Sequence, residues 1–160
     1  MALFRTGKRK STAQAVGGER AHQASPDQAG AGTSAAVTEP KITLPPPLMI
    51  TSREDAGHAL DQVGDLQRYF ETGDITDSEL RELGNAVSSR VQGVVDYFVS
   101  LGMEINLYSQ VVEPISAWAI GNLAPMWIMD QGATPRTAAA KHSYFVIAEL
   151  MTKYARLKPS

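Results

Sequence analysis

The sequence predicts an all-α fold, a compact helical bundle of about four to five helices that follows a disordered N-terminal arm. Three observations lead there. Two Thr-x-x-Glu capping boxes, Thr51 to Glu54 and Thr76 to Glu79, each stand just before a stretch with helical apolar spacing. Leu80, Leu83, Val87, Val91, Val94, Phe98 and Leu101 recur at intervals of three or four residues, which places them on one face of a long helix. No stretch alternates apolar and polar residues, and no Asn-Gly or Asp-Gly turn joins two apolar runs, so strands have no sequence support.

Taken in order, residues 1–40 read as a disordered, basic and low-complexity arm. Residues 11–40 are mostly Ala, Gly, Ser, Thr, Gln and Pro, with little beyond Val16 and Val37 to bury, and that burial does not offset the entropy of ordering. Residues 41–50 read as an extended, proline-rich connector, because Pro45, Pro46 and Pro47 fix φ and remove three donors. Leu44, Leu48, Met49 and Ile50 flank those prolines and are too apolar for a bare linker. They are expected to dock on this domain or on a neighbouring copy, and are candidate subunit or partner contacts.

The helical domain then spans 51–160. Its first helix is expected from the Thr51 box to about Phe70, with Leu60, Val63, Leu66 or Gln67, and Phe70 inward and Gly73 as terminator. The second opens at Thr76 and closes at Gly102; Gly84, Ser88 and Gly93 along it allow another backbone to come close. Residues 103–124 are expected as two short helices divided near Val112 or Glu113, since Pro114 belongs in a first turn or at a kink. Trp118, Ile120 and Leu123 line the second piece, and Gly121, Asn122 and Pro125 weaken its end. Thr134 as N-cap with Pro135 at the first helical position starts a last helix reaching about Leu157, with Tyr144, Ile147, Ala148, Met151, Tyr154 and Ala155 inward.

The chain has 160 residues and no cysteine, which removes disulfides, thiolate nucleophiles and Cys-ligated metals. No apolar run approaches the roughly 18 residues that span a bilayer, and no apolar segment follows the first charges as in a secretory signal, so neither membrane insertion nor secretion is expected. The net charge of −2 hides a polarity: residues 1–20 carry +4, residues 51–113 carry −8 and residues 126–160 carry +3. Such segregation suits head-to-tail association of copies, or an anion-binding surface. Candidate nucleic-acid contacts are therefore Arg5, Lys8, Arg9 and Lys10 at one end and Arg136, Lys141, Lys153 and Arg156 at the other. Trp118, Trp127, Tyr144 and Phe145 offer flat faces for unpaired bases beside the second set, or a packed aromatic cluster.

Catalysis has little to stand on. His22, His58 and His142 are scattered, and Asp55, Asp61 and Asp65 around His58 read as a hydrated acidic face rather than a metal site. Gly17-Gly18 and Gly30-Ala-Gly32 lack the Lys-Ser/Thr and the preceding strand of a phosphate loop. No cofactor, metal or enzymatic activity is expected.

The order Pro114, Trp118, Asn122, Pro125, Trp127, Gln131-Gly132, Pro135, Lys141, Phe145 resembles the coat proteins of flexuous filamentous plant viruses, the potexvirus-like group, over about residues 114–145. The resemblance implies a Trp-rich helical stretch, a Gly-containing turn and a helix bearing a signature near the RNA groove, with Lys141 and Phe145 at its basic and aromatic positions. His142 stands where that signature has an aromatic and Val146 where it has Asp. The expected function is a self-assembling capsid or nucleocapsid subunit with copies of itself and single-stranded RNA as partners, in a virion or host cytoplasm. The alternative is a non-enzymatic interaction module whose Leu80 to Leu101 seam takes a helical protein partner.

Overall fold

The computed structural model describes residues 43–71, 74–129 and 132–160. The expected arm and the terminator Gly73 lie outside them. Four α-helices carry the fold: α1 Arg53–Glu71, α2 Asp77–Ser100, α3 Glu113–Ile128 and α4 Pro135–Lys153. A π-helical turn, Tyr108–Val112, leads into α3, and a 3-10 turn, Ala155–Leu157, follows α4. The described residues contain no strand, so the all-α reading holds.

The helix ends follow local chemistry. Thr76 caps α2 by a reciprocal box in which its hydroxyl accepts from the Glu79 amide at 3.2 Å while the Glu79 carboxylate accepts from the Thr76 amide at 2.7 Å. Gly102, at φ +69°, ends the same helix: its amide donates to Val99 and the Met103 amide to Phe98, both at 2.9 Å, a Schellman closure. Thr134 caps α4 from the Thr137 amide, with Pro135 at the first helical position as expected. The box that opens α1 sits one residue later than Thr51 and Glu54. Ser52 accepts from the Asp55 amide, and the Asp55 carboxylate receives the Thr51 amide, the Thr51 hydroxyl and the Ser52 amide, each at 2.9 Å. These bonds, led by that from the Thr51 backbone, hold the Asp55 carboxyl down at about 2.

Prolines redirect two expectations. In place of two short helices divided at Val112, the wide turn Tyr108–Val112 passes straight into α3. The Pro114 ring would strike the carbonyl four residues back in a regular helix, and the extra residue of a π turn opens space there. Pro125 does not end α3, which continues to Ile128, while the side-chain amide of Asn122 donates to the Trp118 carbonyl at 2.8 Å.

The seam of α2 is core from Leu80 to Val94, where Leu80, Leu83, Val87, Val91 and Val94 are fully enclosed; Phe98 is half-buried and Leu101 exposed. It is therefore not a free face for a partner, and each such side chain contributes about 1.5–3 kcal/mol by leaving water. Helix α1 supplies Ala56, Ala59, Val63 and Leu66, one step round from the expected set. On α3, Ala119, Leu123 and Ala124 face inward and Ile120 faces out. The inner face of α4 is Ala139, Ala140, Ser143, Ile147 and Leu150, continued by Tyr154, while Ala155 is exposed.

The tightest contact joins α2 to α4. A Cβ on Gly84 would lie 2.6 Å from Ser143 Cα, so only a glycine lets the backbones approach this closely. Ser143 donates its hydroxyl to the Leu80 carbonyl at 2.5 Å, and Ser88 donates to the Val146 carbonyl at 3.3 Å. Farther along, Tyr154 donates to Asp96 at 2.8 Å. Contacts therefore advance together along both chains, and α4 runs parallel to α2.

Gly84→Ala adds helix propensity worth about 1 kcal/mol, yet the clash with Ser143 should reverse that gain and lower stability by about 1–3 kcal/mol, read as a reduced denaturation midpoint with unchanged slope. Asp55 has a folded pKa below its ordinary 3.8, so its contribution is complete above that value and disappears as pH falls toward about 2. Asp55→Asn should abolish that acid-dependent fraying of α1, measured by amide exchange at Thr51 and Ser52; an unchanged pH profile would refute the capping role.

Candidate nucleic-acid interface

Four C-terminal cations, Arg136, Lys141, Lys153 and Arg156, are candidate phosphate contacts. Three of them meet carboxylates of their own chain instead. Arg136 lies 3.7 Å from Asp77 and also donates to the Ile75 carbonyl. Lys153 lies 3.4 Å from Asp96 and donates to the Gln92 side chain at 2.8 Å. Arg156 meets Glu104 at 3.2 Å. The parallel packing of α4 on α2 brings the basic end onto the acidic middle within one molecule, and these three candidate nucleic-acid contacts form intramolecular pairs there. All three pairs are partly exposed, which keeps each of them weak. Burial and the bond to Asp96 push the Tyr154 hydroxyl well above its ordinary pKa, fixing it as a donor at the same seam.

Lys141 behaves differently. It has no carboxylate partner among the described residues, and its Nζ stands 5.6 Å from the centroid of the Trp127 ring. Lys141, Tyr144 and Phe145 share one face of α4 by their spacing of three and four residues. Trp127, in the last turn of α3, meets both aromatics, with centroids 5.9 Å from Tyr144 and 5.9 Å from Phe145; those two rings are 5.2 Å apart and nearly perpendicular. Phe145 remains 47% exposed, so one ring of the cluster is open to solvent. Beside it, a cavity of about 420 Å³ opens between Trp127, the residues Gly132 to Thr134, and Thr137, Ala138 and Lys141. The Trp127 indole Nε1 is buried without an acceptor among the described residues.

Trp118 does not join this group; it packs edge-on against Phe70, 5.6 Å away, as part of the core boundary. The four N-terminal candidates, Arg5, Lys8, Arg9 and Lys10, lie outside the described residues. Of the connector residues, Leu44 packs on the main core and Ile50 on Ala56, Ala59 and Val94. These two dock on their own domain, one of the two arrangements expected, while Leu48 and Met49 face solvent.

The histidines form no acid-base or metal constellation in the described residues. His142 Nε2 meets the amide oxygen of Asn85 at 3.2 Å, and no group of three His, Asp or Glu side chains there is placed to hold a metal ion.

Sequence reasoning missed Arg90. Only 4% exposed, it donates Nε to Gln62 at 2.7 Å, Nη1 to the Ala86 carbonyl at 3.0 Å, and Nη2 to the carbonyls of Pro45 at 2.5 Å and Pro46 at 3.4 Å. It fastens the proline-rich connector to α2 with no carboxylate partner among the described residues, and burial draws its pKa down. Its position three residues after Val87 and four before Val94, on the buried seam, was the available signal.

No protein-family model, curated protein or solved structure matches the chain.

Lys153→Gln and Arg156→Gln should each change unfolding free energy by less than about 1 kcal/mol, because exposed pairs give little net stability; a larger loss in denaturant titrations would show that these pairs hold α4 in place.

Proposed function

We propose that the chain is a structural, self-assembling subunit that coats single-stranded nucleic acid, as a capsid or nucleocapsid protein does. The observation that carries this reading is the convergence of Lys141 with Trp127, Tyr144 and Phe145 beside an open cavity. Aromatic faces accept unpaired bases whatever their identity, and a neighbouring ammonium neutralises the phosphate that follows. Four residues supply both, at the position where the sequence resembles a coat-protein signature. Exposed apolar side chains suit contacts between copies: Leu101, Met103 and Ile105 just after α2, Ile128 and Met129 at the end of α3, and Met49 in the connector.

A subunit of this kind needs no catalytic residue and no cofactor. Its place is a virion or host cytoplasm. An interaction module that binds a helical partner is the alternative, and it would have to use the same exposed apolar groups, since the α2 seam is occupied by the protein's own core.

The test uses Trp118→Phe protein, in which Trp127 is the one remaining tryptophan. Single-stranded oligouridylate should quench its fluorescence saturably, with affinity falling as salt rises. Phe145→Ala in the same background, which keeps Trp127 as the probe, should weaken binding by about 1–3 kcal/mol. Lys141→Gln should lower the salt slope by about 0.7. Sedimentation at low salt should give large particles carrying nucleic acid; a small species with neither quenching nor co-sedimentation would overturn the coat reading in favour of the module.

A further inference from the structure

A second cavity, about 350 Å³, lies between the connector and α2, lined by Leu44, Pro45, Pro46, Pro47, Asn85, Ala86, Ser89 and Arg90. Its walls have two characters. Leu44, Pro46, Pro47 and Ala86 are apolar, whereas Asn85, Ser89 and Arg90 place polar groups along about a turn and a half of α2. Arg90 is a buried cation whose partners among the described residues are all uncharged oxygens. A guanidinium has five N–H groups, and these contacts leave at least one, on Nη1, for a further acceptor. Asn85 turns its amide oxygen to His142, which leaves its NH2 group to donate elsewhere.

A buried charge without a counter-charge is an expensive arrangement, because carbonyl dipoles replace lost hydration only in part. An acidic group in the cavity would supply the missing charge, and the proline and leucine walls would cover an apolar body attached to it. The volume falls within the range of small-molecule sites.

We infer that this cavity binds a small amphipathic anion, its acid group on Arg90, Ser89 and Asn85 and its short hydrocarbon body against Leu44, Pro46, Pro47 and Ala86. The site is separate from the Lys141 and Trp127 cluster and shares no residue with it. Its ligand is recognised by one negative charge at the end of a compact apolar chain. Because the connector forms one wall, occupancy also holds residues 44–47 against α2.

The experiment is a titration of the full chain with hexanoate and, separately, with 1-hexanol, followed by backbone amide shifts. Hexanoate should move the amides of Asn85, Ser89 and Arg90 saturably with a dissociation constant of about 1 mM or tighter, and 1-hexanol should bind about ten-fold more weakly. Arg90→Gln should remove the preference for the acid. Since that change also releases the connector, Ala86→Leu serves as the second variant: it fills the cavity, keeps Arg90, and should abolish binding at unchanged helical content. Equal affinity for acid and alcohol, shifts confined to Trp127 and Lys141, or no saturable shift with hexanoate would each overturn the inference.

Discussion

The approach of α2 and α4 at Gly84 and Ser143 is the constraint on which the rest of this structure depends. Backbones come this near only where one side chain is absent, and the Ser143 hydroxyl, finding no water there, closes on the Leu80 carbonyl. Once that crossing is fixed, the rotation of α4 is fixed too. Ala139, Ala140, Ile147 and Leu150 must face the core, and Lys141 and Phe145 must face away from it. The aromatic cluster with Trp127 follows from that rotation together with the short connection from α3.

The same crossing settles where the charges go. An acidic middle and a basic end are a polarity when read along the chain, but parallel packing lays Lys153 beside Asp96 and Arg136 beside Asp77, and Arg156 reaches Glu104 beyond the end of α2. Each pair is weak in water, so the pairing adds less to stability than to the surface it leaves. Lys141 gains significance by contrast: its neighbours are rings, whose faces attract a cation without neutralising it.

Prolines set the remaining geometry through what they lack. Three in the connector have no amides to satisfy, so the carbonyls of Pro45 and Pro46 are open to Arg90, and a buried arginine takes the place of backbone pairing. Pro114 is accommodated by a π turn, and Pro125 by the last turn of a helix whose buried residues, Leu123 and Ala124 the last of them, precede it. The proline-rich segment is thus part of the domain and forms one wall of a cavity, although no helix includes it.

The all-α class, the Thr76 and Thr134 caps, the Gly102 stop and the inward face of α2 were legible in the sequence, because capping and 3.6-residue periodicity are local and act before any tertiary contact forms. The shifted box at Ser52 and Asp55 was local as well, but two overlapping Ser/Thr-x-x-acid patterns competed and only geometry separates them. The inward faces of α3 and α4 were harder to read: α3 is apolar nearly all round and α4 is lined by Ala and Ser, so periodicity carries little contrast. Of the candidate site, the residue types were legible and their grouping was not. Which cations are paired, that Trp118 belongs to Phe70 while Trp127 belongs to Tyr144 and Phe145, and that Arg90 clasps the connector all depend on residues between 17 and 59 positions apart. Chain composition determined what this protein is made to bury; only the close crossing of α2 and α4, a contact 59 residues apart, decided which side chains remain to meet a partner.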